Sequence, residues 1–124
     1  MSQQFKIKKF ISTTGCEILV GQDDASNDYL TLKLAEQNDI WLHVSGFPGS
    51  HVVLKCAEPD KQTLLEAARL AAWHSKMKSG GKVAVSYCLA KNVSKPRGAK
   101  SGSVVIRKEK KVSVKPMLLE ESEL

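Results

Sequence analysis

The chain has few of the features that mark a secreted, membrane-spanning or metal-dependent protein. Its start, Met1-Ser2-Gln3-Gln4-Phe5-Lys6, has no apolar signal core, and nowhere do about 18 apolar residues follow one another to span a bilayer. A cytoplasmic protein without a membrane partner is expected. Only three cysteines occur, Cys16, Cys56 and Cys88, far apart and forming no CxxC pair. Reduced, mostly buried thiols follow, and no disulfide framework. The three histidines show no HExxH or related spacing, so no metal site is expected, and no P-loop or GxSxG elbow is present. No cofactor is implied. One catalytic option survives these absences, an acid–base cluster of Asp39, His43 and His51 acting on an RNA phosphodiester. It lacks any further activating group, and the expectation is no catalytic residue.

What is present is basic charge, unevenly spread. The 124 residues carry a net charge of +6. Residues 1–75 hold 7 basic and 9 acidic side chains, residues 76–115 hold 12 and 1, and residues 116–124 add three glutamates. A 40-residue stretch of net +11 repels itself when compact, and a polyanionic partner replaces that repulsion with attraction. The acidic tail, Glu120-Glu121-Ser122-Glu123, is placed to compete for the same surface. The length suits one domain, expected over residues 1–116 with the tail at 117–124.

Hydropathy patterning predicts an α+β fold with a mixed or mostly antiparallel sheet. Phe5 to Ile11 alternates apolar and basic residues, and Glu17-Ile18-Leu19-Val20 follows Thr13-Thr14-Gly15, which reads as a hairpin. Leu30 and Leu34, four apart behind a candidate Asn27 cap, predict a short helix over about 27–36. Ile40 to Val44 and His51 to Lys55 are β-rich runs joined by the turn-dense Ser45-Gly46-Phe47-Pro48-Gly49-Ser50. The main helix is predicted over about 61–78, capped by Asp60 and stopped at Gly80-Gly81, with Leu64, Ala68, Ala71 and Ser75 as its buried stripe. Val83, Val85 and Tyr87, then Val104-Val105-Ile106 and Val112-Ser113-Val114, complete the strands.

Three groups of residues can meet a nucleic acid. Pro48 and Gly49 suit the central positions of a type II turn, with positive φ at Gly49, and the amides of Gly49, Ser50 and His51 would then form a small phosphate nest. A plain hairpin turn is the competing reading. Trp41 and His43 alternate onto one face of a strand, where their rings can stack on unpaired bases. Alternatively the main helix covers that face and both are core. The loop from Lys91 to Gly102 holds Lys91, Lys95, Arg97 and Lys100 and no acid, with Pro96, Gly98 and Gly102 allowing close backbone approach to phosphates. A solvated basic loop is the bland alternative.

Asp39-Ile40-Trp41-Leu42-His43, Pro48-Gly49-Ser50-His51-Val52-Val53, Leu65-Glu66-Ala67-Ala68-Arg69-Leu70-Ala71-Ala72 and the segment Lys91 to Gly102 together resemble the NFACT-R domain family. The resemblance runs from about Gly15 to Pro116. It implies an α+β domain, found in ribosome-quality-control factors, that binds structured RNA and has no catalytic residues of its own. By matched position it implies roles for Asp39, Trp41, His43, Pro48, Gly49, Ser50, His51, Lys91, Lys95, Pro96, Gly98, Lys100 and Gly102. It also implies a stand-alone member, since the family's other parts have no counterpart in these residues. Ser86-Tyr87 stands where the family usually has Asp-Tyr, and Ile106 where it commonly has Tyr, so the contacts need not be the same. Some members are associated with DNA. A non-catalytic RNA-binding module for tRNA or rRNA, in association with the ribosome, is therefore the leading expectation. A protein-interaction adaptor using Phe47 and Met117-Leu118-Leu119 stands second, and a small RNA-processing enzyme third.

Overall fold

A computed structural model describes residues 4–119; the acidic tail Glu120 to Glu123 lies outside them. The predicted hairpin forms from β1 (Ile7–Ile11) and β2 (Glu17–Gly21), antiparallel with Phe10 opposite Ile18. β3 (Ile40–Val44) and β4 (Val52–Leu54) are neighbours, as their flanking turn residues implied. With β5 (Val83–Leu89) and β8 (Lys110–Val114) they complete a six-stranded antiparallel sheet in the order β1-β2-β4-β3-β5-β8. β6 (Val93–Ser94) and β7 (Val105–Ile106) form a separate two-stranded ribbon that flanks the basic loop. This is the α+β class expected from the sequence.

Two helical segments depart from the sequence reading, the first for a local reason and the second for a tertiary one. α1 (Asp24–Tyr29) starts three residues before the expected Asn27 cap, because Asp23 Oδ1 accepts from Ser26 N at 2.8 Å. Asn27 is instead buried inside the helix. The chain then widens into a π-helical turn, Leu30–Leu34, closed by Ala35 N donating to Leu30 O. α2 spans Lys61–Trp73, capped by Asp60 as expected, but ends five residues short of Lys78. Its end is taken over by residues 48–50: Ser50 N donates to His74 O, and Lys76 N donates to Pro48 O. Lys78 folds back over the Trp73 ring, 3.9 Å from its centroid.

α2 lies on one face of the sheet, where Ala67, Ala68, Leu70, Ala71 and Ala72 pack on Ile40, Leu42, Val44, Val52, Leu54 and Val85. Leu64 and Ser75, placed in the stripe by spacing, are half-buried, and Glu66 is buried because its carboxylate holds Thr13 N at 2.8 Å. The small alanines let helix and sheet approach closely. Trp41, Val53 and Cys88 face the opposite side, where Leu30 of the π turn covers them and Val93, Val104 and Ile106 pack alongside. Cys88 is buried; Cys16 and Cys56 are only half-buried. Leu119 still packs on the main core and Met117 N donates to Arg69 O. No helix among the described residues is long and apolar enough to cross a membrane.

Candidate nucleic-acid interface

The sheet face turned away from α2 carries Trp41, His43 and, at the start of β4, His51. Strand alternation put Trp41 and His43 together correctly: their rings stack at 5.8 Å, and His51 meets both edge-on at 5.1 and 5.6 Å. Neither reading of that face survives intact. α2 does not cover it, yet Trp41 is only 2% exposed, because the π turn and the basic loop close over it. A ring so placed has no free face for a base. His43 is half-buried and His51 3% exposed.

The hydrogen bonds among these rings fix their protonation. The Gly102 carbonyl, 3.1 Å from His51 Nε2, can only accept, so Nε2 carries the proton. Nδ1 of the neutral ring then accepts from the Thr31 hydroxyl at 2.7 Å, and Thr31 Oγ1 accepts from Trp41 Nε1–H at 3.1 Å. His51 N completes the set by donating to Asn27 Oδ1 at 3.0 Å. Burial, then the neighbouring His43, push the His51 pKa down to about 4, against the opposing pull of the Gly102 carbonyl. His43 is also lowered by burial, with bonds to the Gly49 and Val44 backbone opposing. Every polar atom of the His51 ring is thus used to bind strand, helix and loop together.

The basic loop is docked by the same residues. Gly102 N donates to Asp28 Oδ1 at 3.0 Å, and its φ of +86 with the Asp24 carboxylate close by requires glycine: a Cβ there would lie 2.8 Å from Asp24 Oδ1. Lys95, expected to reach phosphate, turns inward. Its Nζ pairs with Asp28 Oδ2 at 3.1 Å, and donates to the carbonyls of Lys100 and Ser103. It is a staple across the loop. Lys91, Arg97 and Lys100 are exposed, as a phosphate contact needs, and Arg107, Lys108, Lys110 and Lys111 extend the exposed cations beyond the loop. None of these seven forms an ion pair among the described residues.

The expected phosphate nest at Pro48, Gly49, Ser50 and His51 is not formed. Gly49 lies outside the left-handed region, and the positive φ of this connection, +78, is at Gly46. Ser50 N and His51 N are already bonded, to His74 O and Asn27 Oδ1. Glycine is needed at 49 for a different reason: the segment bridges Ser75 so closely that a Cβ would lie 2.8 Å from the Ser75 Cβ. The acid–base cluster is not assembled either. Asp39 sits four extended residues from His43, ~13 Å along the strand, and is engaged by Lys55 Nζ at 2.6 Å. Phe47, Met117 and Leu118 are exposed, as an adaptor surface would need.

Sequence reasoning missed Asn27, Asp28 and Thr31, which hold the loop and the histidine, and the cations after Lys100. The +11 count already contained those cations, whereas Thr31 carries no local signal at all.

Comparison with known proteins agrees with this architecture. The family model described as NFACT protein RNA binding domain matches residues 6–108. The Rqc2 homolog RqcH of Bacillus subtilis is 46% identical over 110 residues, 89% of this chain and 19% of the relative. Its Streptococcus suis counterpart is 38% identical over 113 residues, 90% of this chain and 20% of the relative. The chain therefore spans about a fifth of the length of the curated relatives it matches. The solved C-terminal part of the fibronectin/fibrinogen-binding protein from Streptococcus suis superposes with a TM-score of 0.89 at 36% identity, over 94% of this chain and 47% of that one. With the family model spanning five of the six sheet strands, both helices and the docked basic loop, this chain belongs to the NFACT RNA-binding domain family.

Proposed function

We propose that this chain binds structured RNA of the translation machinery, tRNA or rRNA on or near the ribosome, without carrying out chemistry on it. One observation carries the reading: Lys91, Arg97, Lys100, Arg107 and Lys108, exposed and without an ion pair among the described residues, lie on or beside a loop and ribbon that the buried Trp41–Thr31–His51 network holds against the domain, and Lys110 and Lys111 continue them onto β8. A loop already ordered loses little entropy on binding, so its cations act from fixed positions, as recognition of a structured ligand needs. Family membership supports RNA as the polyanion, and the named relatives support the ribosomal setting. The state of His51 supports a binding role over cleavage. It is neutral at physiological pH, and both ring nitrogens are committed to protein groups.

Binding of a tRNA and of an unstructured homopolymer, compared at one salt concentration, tests the reading. Preference for the tRNA is expected, and the RNA should remain intact through long incubation. Equal binding of both would remove the structural specificity, and cleavage lost in His43→Ala would restore the enzyme.

A further inference from the structure

β5 outlasts its neighbour on one side. β8 begins at Lys110, opposite Tyr87, whereas β5 continues to Leu89 in register with Ile40 of β3. In an antiparallel ladder, successive residues turn their backbone groups alternately to either side. Ala84 O accepts from Ser45 N and Ala90 N donates to Asp39 O, so the even-numbered residues of this stretch face β3. Leu89 therefore turns its N–H and C=O toward the β8 side, where a continued ladder would bring Lys108. Lys108 instead has φ +55 and the ladder stops, which leaves this donor–acceptor pair open.

A cavity of about 280 Å³ occupies the gap. Ile40, Tyr87, Cys88 and Leu89 give it an apolar floor, Asn92 stands at one side, and Lys108 and Lys110 form the rim. Among the described residues, the Tyr87 hydroxyl and the Asn92 side-chain amide make no hydrogen bond and neither lysine forms an ion pair. A non-glycine residue held at positive φ is a strained element of the kind that collects at binding sites.

We infer that this cavity takes one extruded nucleobase of the bound RNA, an inference that rests on the RNA-binding reading above. The flat base lies on the apolar floor beside Tyr87, its edge meets the Leu89 N–H and C=O and the Asn92 amide, and the flanking phosphates meet Lys108 and Lys110. An added peptide strand is a poorer fit, because it needs several consecutive open backbone positions and, among the described residues, only Leu89 is open here. A purely apolar ligand would bury that backbone pair unsatisfied and leave the two cations unused.

Amide NMR on the full ¹⁵N-labelled chain, titrated with adenosine and uridine 5′-monophosphates, inorganic phosphate and a tRNA, tests this. A nucleotide is expected to shift the Leu89 and Asn92 amides saturably, the tRNA to move the same two, and phosphate alone to move only Lys108 and Lys110. Asn92→Ala, at a half-buried position, should weaken nucleotide binding roughly fivefold with the rest of the spectrum unchanged. Lys108→Gly keeps the left-handed backbone, removes the charge and should weaken it as well. Lys91→Ala/Arg97→Ala/Lys100→Ala should lower tRNA affinity and leave nucleotide binding as it was. Tight tRNA binding with Leu89 unmoved, or a Leu89 shift reproduced by phosphate alone, overturns the base pocket and leaves the RNA-binding reading standing. Failure of the tRNA to bind at all overturns that reading, and the pocket with it.

Discussion

Gly49 and His51 show how far a residue's role depends on what the fold brings against it. Pro48-Gly49 reads as a turn pair, and the sequence holds no hint that residues 48–50 run extended along the end of α2. Gly49→Ala therefore meets the Ser75 Cβ at 2.8 Å rather than a forbidden φ, and should cost about 1–3 kcal/mol of stability in chemical denaturation. For His51, the folded-state pKa of about 4 lies below its unfolded value near 6.5. The folded ring stays neutral while the unfolded ring takes up a proton, so stability is full above pH 6.5 and falls as pH drops from 6.5 toward 4. The loss should reach at most about 3 kcal/mol, read from unfolding midpoints across that range, and His51→Gln should flatten the profile. A profile already flat in the unmutated chain would contradict the buried neutral histidine.

At the scale of elements, local signals found what local physics decides. The β1–β2 hairpin, the β3 and β4 runs and the Asp60 cap of α2 all rest on neighbours in sequence, and all form as expected. The end of α2 is set by partners more than 20 residues away, and Trp41 is covered both by Leu30 and by the distant Val93, Val104 and Ile106, so no short window of sequence contains either. The same holds within the basic loop, where Lys95 and Lys100 look alike in sequence while only Lys95 has Asp28 beneath it. Lys95→Met should therefore behave unlike Arg97→Ala or Lys100→Ala. Amide exchange through residues 95–103 should accelerate strongly in Lys95→Met and hardly change in the other two, while all three weaken RNA binding. Exchange left unchanged by Lys95→Met would show that the Asp28 pair does not hold the loop.

For the whole molecule, the lopsided charge count was the most informative line of the sequence, because net charge does not depend on knowing the fold. It placed the proposed binding surface between residues 76 and 115 but could not separate cations that point outward from one that staples the loop. The central claim is that the exposed cations on a pre-docked loop and ribbon contact RNA phosphates, and the salt dependence of tRNA affinity tests it most directly. Each phosphate neutralised should contribute about −0.7 to −0.9 to the slope of log affinity against log salt. The unmutated chain should show a slope of several such contributions, and Lys91→Ala/Arg97→Ala/Lys100→Ala a slope shallower by about two to three of them. A triple variant that keeps the full slope, or an unmutated chain whose affinity hardly responds to salt, would contradict it.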